Sequence, residues 1–339
     1  MKNNGKSLKV CIAYNATEAS GLQQDMDFIS EAAVMEEAKN VHDAVKNLGH
    51  QAEYLPVKFL LSDLEIFKQR KYDLIFNLCE GYQGRSSQEM CIAGVWELLG
   101  IPYTGNSPLT LGLAQNKVLT KRLMESKKIA TPMYQVFSSP PKNCYLEFPV
   151  IAKPAQEDAS LGITGDAVIT NFLELTERVT QLLESYRQPI LVEEFVDGRE
   201  FNISLLGNSP ARVLPLSEIN FSRLEPGQNH IASYEAKWLP DHPMYQKTPP
   251  VCPAEVDEEL RIRLQDVAIQ IYHLLKGRDY GRVDLRVDAH EKIFILEFNP
   301  NPDISRDAGF ANAARAAGMT YENLIDHIIN QAMGRKINA

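Results

Sequence analysis

The sequence predicts an α/β or α+β protein built in more than one lobe. Three observations predict it. The chain has 339 residues, enough for about two globular units. Its first third alternates strand-length apolar runs with helix-length amphipathic patterns, and its last third pairs two strand patterns between long helical ones.

Leu8–Tyr14 is a short apolar run expected as a buried strand. Ser30 is expected to open a long helix through Leu48, with Gly49 as its stop. Glu53–Val57 and Tyr72–Leu78 are further strands, and Gln88–Leu99 is a second helix ending at Gly100. Strands separated in this way form a parallel sheet, and Ile101–Gly105 closes an expected first domain, 1–105. A helix is expected at Gln115–Glu125, bounded by Pro132. Strands follow at Phe148–Lys153, Ala167–Thr170 and Ile190–Glu194, with a helix over Phe172–Tyr186. The run Val192–Arg199, followed by Glu200, reads as a strand passing into a turn. Asn220–Pro253 is polar and shows little periodicity. Loops beyond about 12–15 residues are usually functional or disordered. A helix (Val256–Leu275), two strands (Arg282–Val287 and Ile293–Phe298) and helices from Ala311 to Met333 complete the chain.

Apolar residues make up 44% and charged residues 23%, ordinary values for a protein with a real core. The net charge of −9 argues against binding to phosphate backbones or anionic lipid, so neither nucleic acid nor membrane is an expected partner. No apolar run approaches the roughly 18 residues of a membrane span, and Met1–Lys9 lacks a signal peptide's apolar stretch. The five cysteines are odd in number, far apart and without a C-x-x-C pair, which fits a reducing cytoplasm. The seven histidines show no metal-ligand spacing; only His230 and His242, in the long loop, are candidates for substrate contact.

The strongest constellation is Arg282-Val283-Asp284-Leu285-Arg286 followed by Leu296-Glu297-Phe298-Asn299. In paired strands alternate residues share a face, so Glu297 and Asn299 point one way and Asp284 joins them from the partner strand. Two carboxylates and an amide oxygen suit Mg²⁺. Arg282 projects toward the same place and is suited to stabilising a phosphoryl or tetrahedral anion. The alternative is the solvated face of an ordinary hairpin. Lys153 ends an apolar strand, where ligands of α/β sheets gather. Lys117 near a helix start is by default a solvated lysine. Gln156–Gly165 is a small-residue stretch able to fold over phosphates. Glu200 is suited to ribose hydroxyls, or to plain exposure.

These pieces together resemble the ATP-grasp superfamily, in its D-alanine–D-alanine ligase branch. The motifs that carry the likeness are GIPYTGNSP, Asn116-Lys117, FPVIAKP, VEEFVDGREF, Tyr234-Glu235-Ala236-Lys237-Trp238, Cys252-Pro253-Ala254 and RVDLRVD with LEFNPNP. The resemblance implies an α/β plus α+β fold, in which an N-terminal parallel-sheet domain precedes a two-lobed ATP-grasp domain. Its lobes would be 106–194 and 195–339, with 220–253 as a closing loop.

Carried over position by position, the resemblance implies that Lys117 and Lys153 contact nucleotide phosphates. Glu193 and the backbone of Glu194, Phe195 and Val196 would meet adenine, with Phe195 and Ile163 among its apolar walls and Leu296 in the nucleotide set. Glu200 would bind ribose. Lys237 and Trp238 would lie on the closing loop, Ser160 in the phosphate-covering one, and Arg282, Lys237 and Ser160 would be the catalytic group. Asp284, Glu297 and Asn299 would hold Mg²⁺, or Mn²⁺ in its place. A homodimer is also implied.

Departures fall on substrate positions. Ser20 stands where the family's amine-binding glutamate is expected, with Glu18 nearby but out of register. Leu78-Cys79-Glu80 replaces Leu-His-Gly, Ala159 replaces one of two loop serines, Asp303 replaces a glycine, and Ala308 replaces a serine. The substrate candidates are therefore Glu18, Glu80, Glu89, Asp303, Ser305 and Arg306. Asp307 is the better candidate for a helix cap. The expected activity is an ATP-dependent carboxylate–amine ligase acting on small amino-acid-like substrates. A true D-alanine–D-alanine ligase and a non-catalytic nucleotide-binding module are the alternatives.

Overall fold

The computed structural model describes residues 7–15, 24–58, 65, 67, 69–83, 85–157, 167–232 and 242–335, with 24–33 described in backbone only. Strand β1 (Lys9–Asn15), helix α1 (Gln24–Asn47), β2 (Gln51–Val57), β3 (Leu74–Leu78) and α2 (Glu89–Leu99) form the first unit. Its three strands run parallel in the order β2-β1-β3. Parallel strands are covered on both faces, and all five residues of β3 are accordingly buried. Gly100, at φ 65°, ends α2 in the left-handed conformation that a side chain disfavours. The expected start of α1 at Ser30 is corrected: the helix begins at Gln24, and Ser30 lies inside it.

The expected single helix Gln115–Glu125 is two. Pro108–Gln115 (α3) is capped by Ser107, which accepts from Thr110 N–H, and carries Pro108 in its first turn. Lys117–Ser126 (α4) is capped by Asn116, which accepts from Leu119 N–H. A residue that caps one helix cannot continue the one before it, so the chain breaks at Asn116. Then come β4 (Tyr134–Phe137), β5 (Val150–Pro154), β6 (Val168–Ile169), α5 (Phe172–Tyr186) and β7 (Ile190–Glu194). The four strands make an antiparallel sheet in the order β4-β7-β5-β6.

The third sheet collects β8 (Arg199–Leu206), β9 (Arg212–Val213), β10 (Ser217–Ile219), β11 (Pro250–Val251), β12 (Tyr280–Val287) and β13 (Ile293–Asn299). Its order is β11-β10-β8-β12-β13, with β9 beside β8. Glu200 is thus not in a turn but the second residue of a central strand. A short α6 (Pro243–Lys247) interrupts the long loop, and His242 caps it. Helix α7 (Glu258–Leu274) is capped by Asp257. It packs Leu260, Leu264, Ala268 and Ile271 against the sheet, in a core that Ala114, Met124 and Ile129 also join.

Helices α8 (Gly309–Ala316) and α9 (Tyr321–Gly334) return to the first unit, where Phe310, Ile325 and Ile328 share a core with β1, β3 and α1. Asn106 locks that junction. It accepts from Arg278 N–H at 2.8 Å and donates to the carbonyls of Tyr280, at 2.8 Å, and Pro300. Beside it, buried Asp279 accepts from Gly105 N–H at 2.9 Å and pairs with Arg335. No helix among the described residues is long and apolar enough to cross a membrane.

Candidate active site

Strands β12 and β13 set Arg282 opposite Asn299 and Asp284 opposite Glu297. Past Asp284 the register shifts, so that Leu285 pairs with Ile295 and Leu296 is one residue extra on β13. A bulge of this kind re-aims side chains. Here the consecutive residues Leu296 and Glu297 both line one cleft, while Ile295 stays wholly buried in the core.

Asp284 is the hub of this cluster and is 3% exposed. Arg282 donates from Nε and Nη2 to its two oxygens, each at 2.7 Å. Asn202 Nδ2 reaches Oδ1 at 2.8 Å, and Asn299 Nδ2 reaches Oδ2 at 2.9 Å. Burial works against the charge on Arg282, but Asp284 outweighs it and raises the guanidinium above its ordinary range. Lys117 Nζ lies 3.2 Å from Glu297 Oε2. The default reading of Lys117 as a solvated lysine is corrected: it is buried, with its backbone N–H bonded to Ala155 O at 3.1 Å.

The cleft holds about 810 Å³ of space, part of it open to solvent. It brings together Lys117, Lys153, Glu193, Glu194, Phe195, Val196, Glu200, Asp284, Leu296 and Glu297, ten of the positions that the sequence singled out. Glu193 is buried between the ammonium groups of Lys121 and Lys153. Burial pushes its carboxyl up, and the two lysines overcome that and hold it below the ordinary range. Glu200 Oε2 accepts from Arg286 at 2.7 and 3.2 Å. Arg286 also donates to Val196 O at 2.7 Å and lies 5.0 Å from the Phe195 ring.

Lys121 was not singled out from the sequence and Arg286 was named only as the end of the Arg282–Arg286 run, without a role, although both carried a signal. Arg286 follows Asp284 by two on the same strand face, and Lys121 follows Lys117 by one helical turn.

Among the described residues no three His, Cys, Asp or Glu side chains converge as a metal set. The candidate ligands are two carboxylates and an amide. Asn299 spends its Nδ2 on Asp284, which leaves its oxygen for another partner. The oxygen-only chemistry of this set is that of a hard divalent cation, while Asp284 itself accepts from Arg282, Asn202 and Asn299 and Glu297 meets Lys117.

The substrate candidates separate. Glu89 accepts from Asn301 Nδ2 at 2.8 Å, just past the end of β13, and the N–H of Glu80 bonds Asn15 Oδ1 at 2.7 Å at the end of β1. Asp303 turns its carboxylate onto the N–H of Ser305, at 2.8 Å, and onto the Ser305 hydroxyl, at 2.6 Å. Arg306 pairs with Glu322 at 2.8 Å and covers the Tyr321 ring. The expected cap at Asp307 is corrected. The N-cap of α8 is Ala308, without a side-chain bond, and Asp307 is exposed. Glu18, Ser20, Ala159, Ser160, Ile163, Lys237 and Trp238 lie outside the described residues. His230 stacks on Phe221 and pairs with Asp197 at 3.0 Å.

Comparison with known proteins adds a second line of findings. Residues 115–330 match the family model described as the D-ala D-ala ligase C-terminus. An uncharacterised protein, y4sG of Sinorhizobium fredii, is 34% identical, over 88% of each chain. A D-alanine–D-alanine ligase of Desulforudis audaxviator is 31% identical, over 86% of this chain and 91% of the relative. The crystal structure of a Bacillus anthracis D-alanine–D-alanine ligase complexed with ATP superposes with a TM-score of 0.72 at 20% identity, covering 97% of this chain and 98% of that one; this likeness is one of fold.

Proposed function

The chain belongs to the D-alanine–D-alanine ligase family of ATP-grasp carboxylate–amine ligases, and from that premise we propose that it joins two small amino-acid-like substrates other than a pair of D-alanines. The observation that carries this reading is the single cleft where Arg282, Asp284, Glu297 and Asn299 adjoin Lys117 and Lys153. A module that only bound nucleotide would need the apolar walls but not this charged group.

In the proposed reaction a substrate carboxylate oxygen attacks the γ-phosphorus of ATP. The bond to the β,γ-bridging oxygen breaks, giving an acyl phosphate and ADP. The second substrate's amine attacks the acyl carbon, phosphate departs with the C–O bond electrons, and the nitrogen loses a proton to leave an amide. Charge gathers on the transferring phosphoryl oxygens, so cationic groups at Lys117, Lys153 and Arg282 suit the step. Asp284, Glu297 and Asn299 would hold Mg²⁺, which when bound supplies neutralisation of the triphosphate. Lys237, Trp238 and Ser160 are proposed for the covering loops, where exclusion of water protects an acyl phosphate.

The departures at Ser20, Asp303 and Ala308 speak against a pair of D-alanines, and the acids Glu80, Glu89, Asp303 and Asp307 favour a substrate bearing a free amine or second cationic group. ADP and phosphate release with Mg²⁺ against amino acids, singly and in pairs, tests this. Release only with pairs that include a diamino acid supports it. D-alanine alone sufficing would identify a cell-wall ligase instead, and no stimulated release from a broad panel would favour a binding module.

A further inference from the structure

A second cavity shares no lining residue with the cleft described above. It holds about 710 Å³ of space, part of it open to solvent, and no carboxylate lines it. Ser217 of β10 and Cys252, just past β11, stand on one side of it. Gly309, Asn312, Arg315 and Ala316 of α8 stand on the other. These four recur at helical spacing on the face of α8 that turns away from the core, where Phe310, Ala313 and Ala314 are buried.

The register of the third sheet connects this cavity to the charged centre. Ser217 pairs with Asn202, Asn202 with Asp284, and Asp284 with Glu297. Directly opposed residues of antiparallel strands share a face, so one row of side chains runs from Ser217 to the Asp284 cluster. Neighbouring strands lie about 4.8 Å apart, which puts Ser217 roughly 10 Å from Asp284 along that row. A substrate reacting beside Asp284 can therefore reach the cavity with a side chain of a few atoms.

Arg315 supplies the cation of the cavity. Its Nη1 donates to Asn312 Oδ1 at 2.6 Å and its Nη2 to Arg306 O at 2.7 Å, while Asn312 Nδ2 donates to Asp307 O at 2.8 Å. Both partners of the guanidinium are neutral oxygens, and no carboxylate pairs with it among the described residues. Two bonds thus fix a fork of five N–H donors and leave the others for an anion. Ser217 is 4% exposed, and its hydroxyl has no hydrogen-bond partner among the described residues. At the start of α8 a Cβ built on Gly309 would meet nothing within 4 Å, so the helix adds no bulk there. A cationic side chain would be repelled by Arg315, and an apolar one would leave the fork unmatched.

We propose that this cavity is the side-chain subsite for one of the two substrates. It takes a side chain of several atoms that ends in a carboxylate, with Arg315 as counter-ion and the Ser217 hydroxyl as a further contact. This rests on the ligase reading of the centre around Asp284. It concerns the partner of the substrate that Glu80, Glu89, Asp303 and Asp307 favour.

ADP release by the full chain with ATP, Mg²⁺ and a diamino acid, with the second amino acid varied in both chiralities, tests it. Glutamate is expected to exceed glutamine and norvaline in kcat/KM by at least about tenfold, since a site built around a charged contact rejects analogues that lack it. Arg315→Met is expected to bring the glutamate-to-glutamine ratio close to one, chiefly through KM, and Arg315→Lys to keep part of it. Gly309→Leu fills the cavity and should shift the glutamate-to-alanine ratio toward alanine. Equal losses for glutamate and glutamine in Arg315→Met mark a purely structural arginine and overturn the proposal. So does an unchanged glutamate-to-alanine ratio in Gly309→Leu, even where Arg315→Met does not fold. Wild type using glutamate of neither chirality better than glutamine and norvaline overturns this proposal alone, whereas no release from any pair removes the ligase reading and this proposal with it.

Discussion

The N–H of Ile304 donates to Oε1 of Glu37 at 3.0 Å, and Glu37 is a carboxylate of α1 only 6% exposed. One turn further, Asn40 Oδ1 takes the N–H of Arg306 at 3.1 Å. Helix α1 thus holds at two backbone points the loop that leaves β13. Burial first, and then the charges of Asp303 and Glu80, push the Glu37 carboxyl well above its ordinary range.

That shift has a definite sign. The native chain binds this proton more tightly than the unfolded one. The stabilisation is therefore full below the ordinary value of 4.5 and is lost as pH rises through the raised native value. Glu37→Gln removes the titration and keeps an oxygen for Ile304. Its melting temperature should fall less than wild type's between about pH 5 and pH 8, the range above an ordinary glutamate. Glu37→Ala leaves the Ile304 N–H unpaired and should cost roughly 1–3 kcal/mol. Parallel pH profiles for wild type and Glu37→Gln would place the titration elsewhere.

Arg282→Ala removes both 2.7 Å bonds to Asp284. Under the proposed reaction it should lower kcat by about 10²–10³-fold, the typical cost of deleting one anion-stabilising donor. Arg282→Lys should restore little, because a single ammonium cannot reproduce the two-pronged contact. Steady-state kinetics check this, and a change confined to KM for ATP would count against a role in the reacting centre.

Asn106→Ala strands the Arg278 N–H and the carbonyls of Tyr280 and Pro300 at the junction of the first unit with β12 and β13. Each buried group left unpaired costs about 1–3 kcal/mol. Urea unfolding should show a lower midpoint by several such increments combined, about 3 kcal/mol or more in stability. A midpoint unchanged from wild type would mean that water takes over these bonds.

Chelation of divalent ions should abolish ADP release, and Mg²⁺ should restore it. Asn299→Ala should raise the Mg²⁺ concentration for half-maximal activity, since it removes one of three proposed oxygens and also the 2.9 Å bond that orients Asp284. Full activity in excess chelator would dispose of the metal assignment.

The legible part of this molecule was the part governed by spacing. Alternation along Arg282–Arg286 and Glu297–Asn299 placed those side chains on one face, and Phe172–Tyr186 was read as a helix to the residue. What escaped was set by partners distant in sequence. Lys121 looks like any helical lysine until β7 delivers Glu193, and Glu37 looks like a surface acid until Ile304 arrives from 267 residues away. Strand β8 alternates polar and apolar residues over Arg199–Leu206, a pattern that was open to reading as a strand, and Glu200 there is paired with Arg286 rather than solvated. Asp307 failed as a cap because the loop turns one residue later, which leaves Ala308 at the helix start.

A regular strand offers a cleft only every second side chain, so a short strand must choose between grease and charge at each turn of its pleat. The surplus Leu296 frees β13 from that choice. Removing it from the chain would close the strand into unbroken alternation, with Ile295 still inward and Glu297 still opposite Asp284. Such a shortened protein would keep its acids and lose an apolar wall of the cleft.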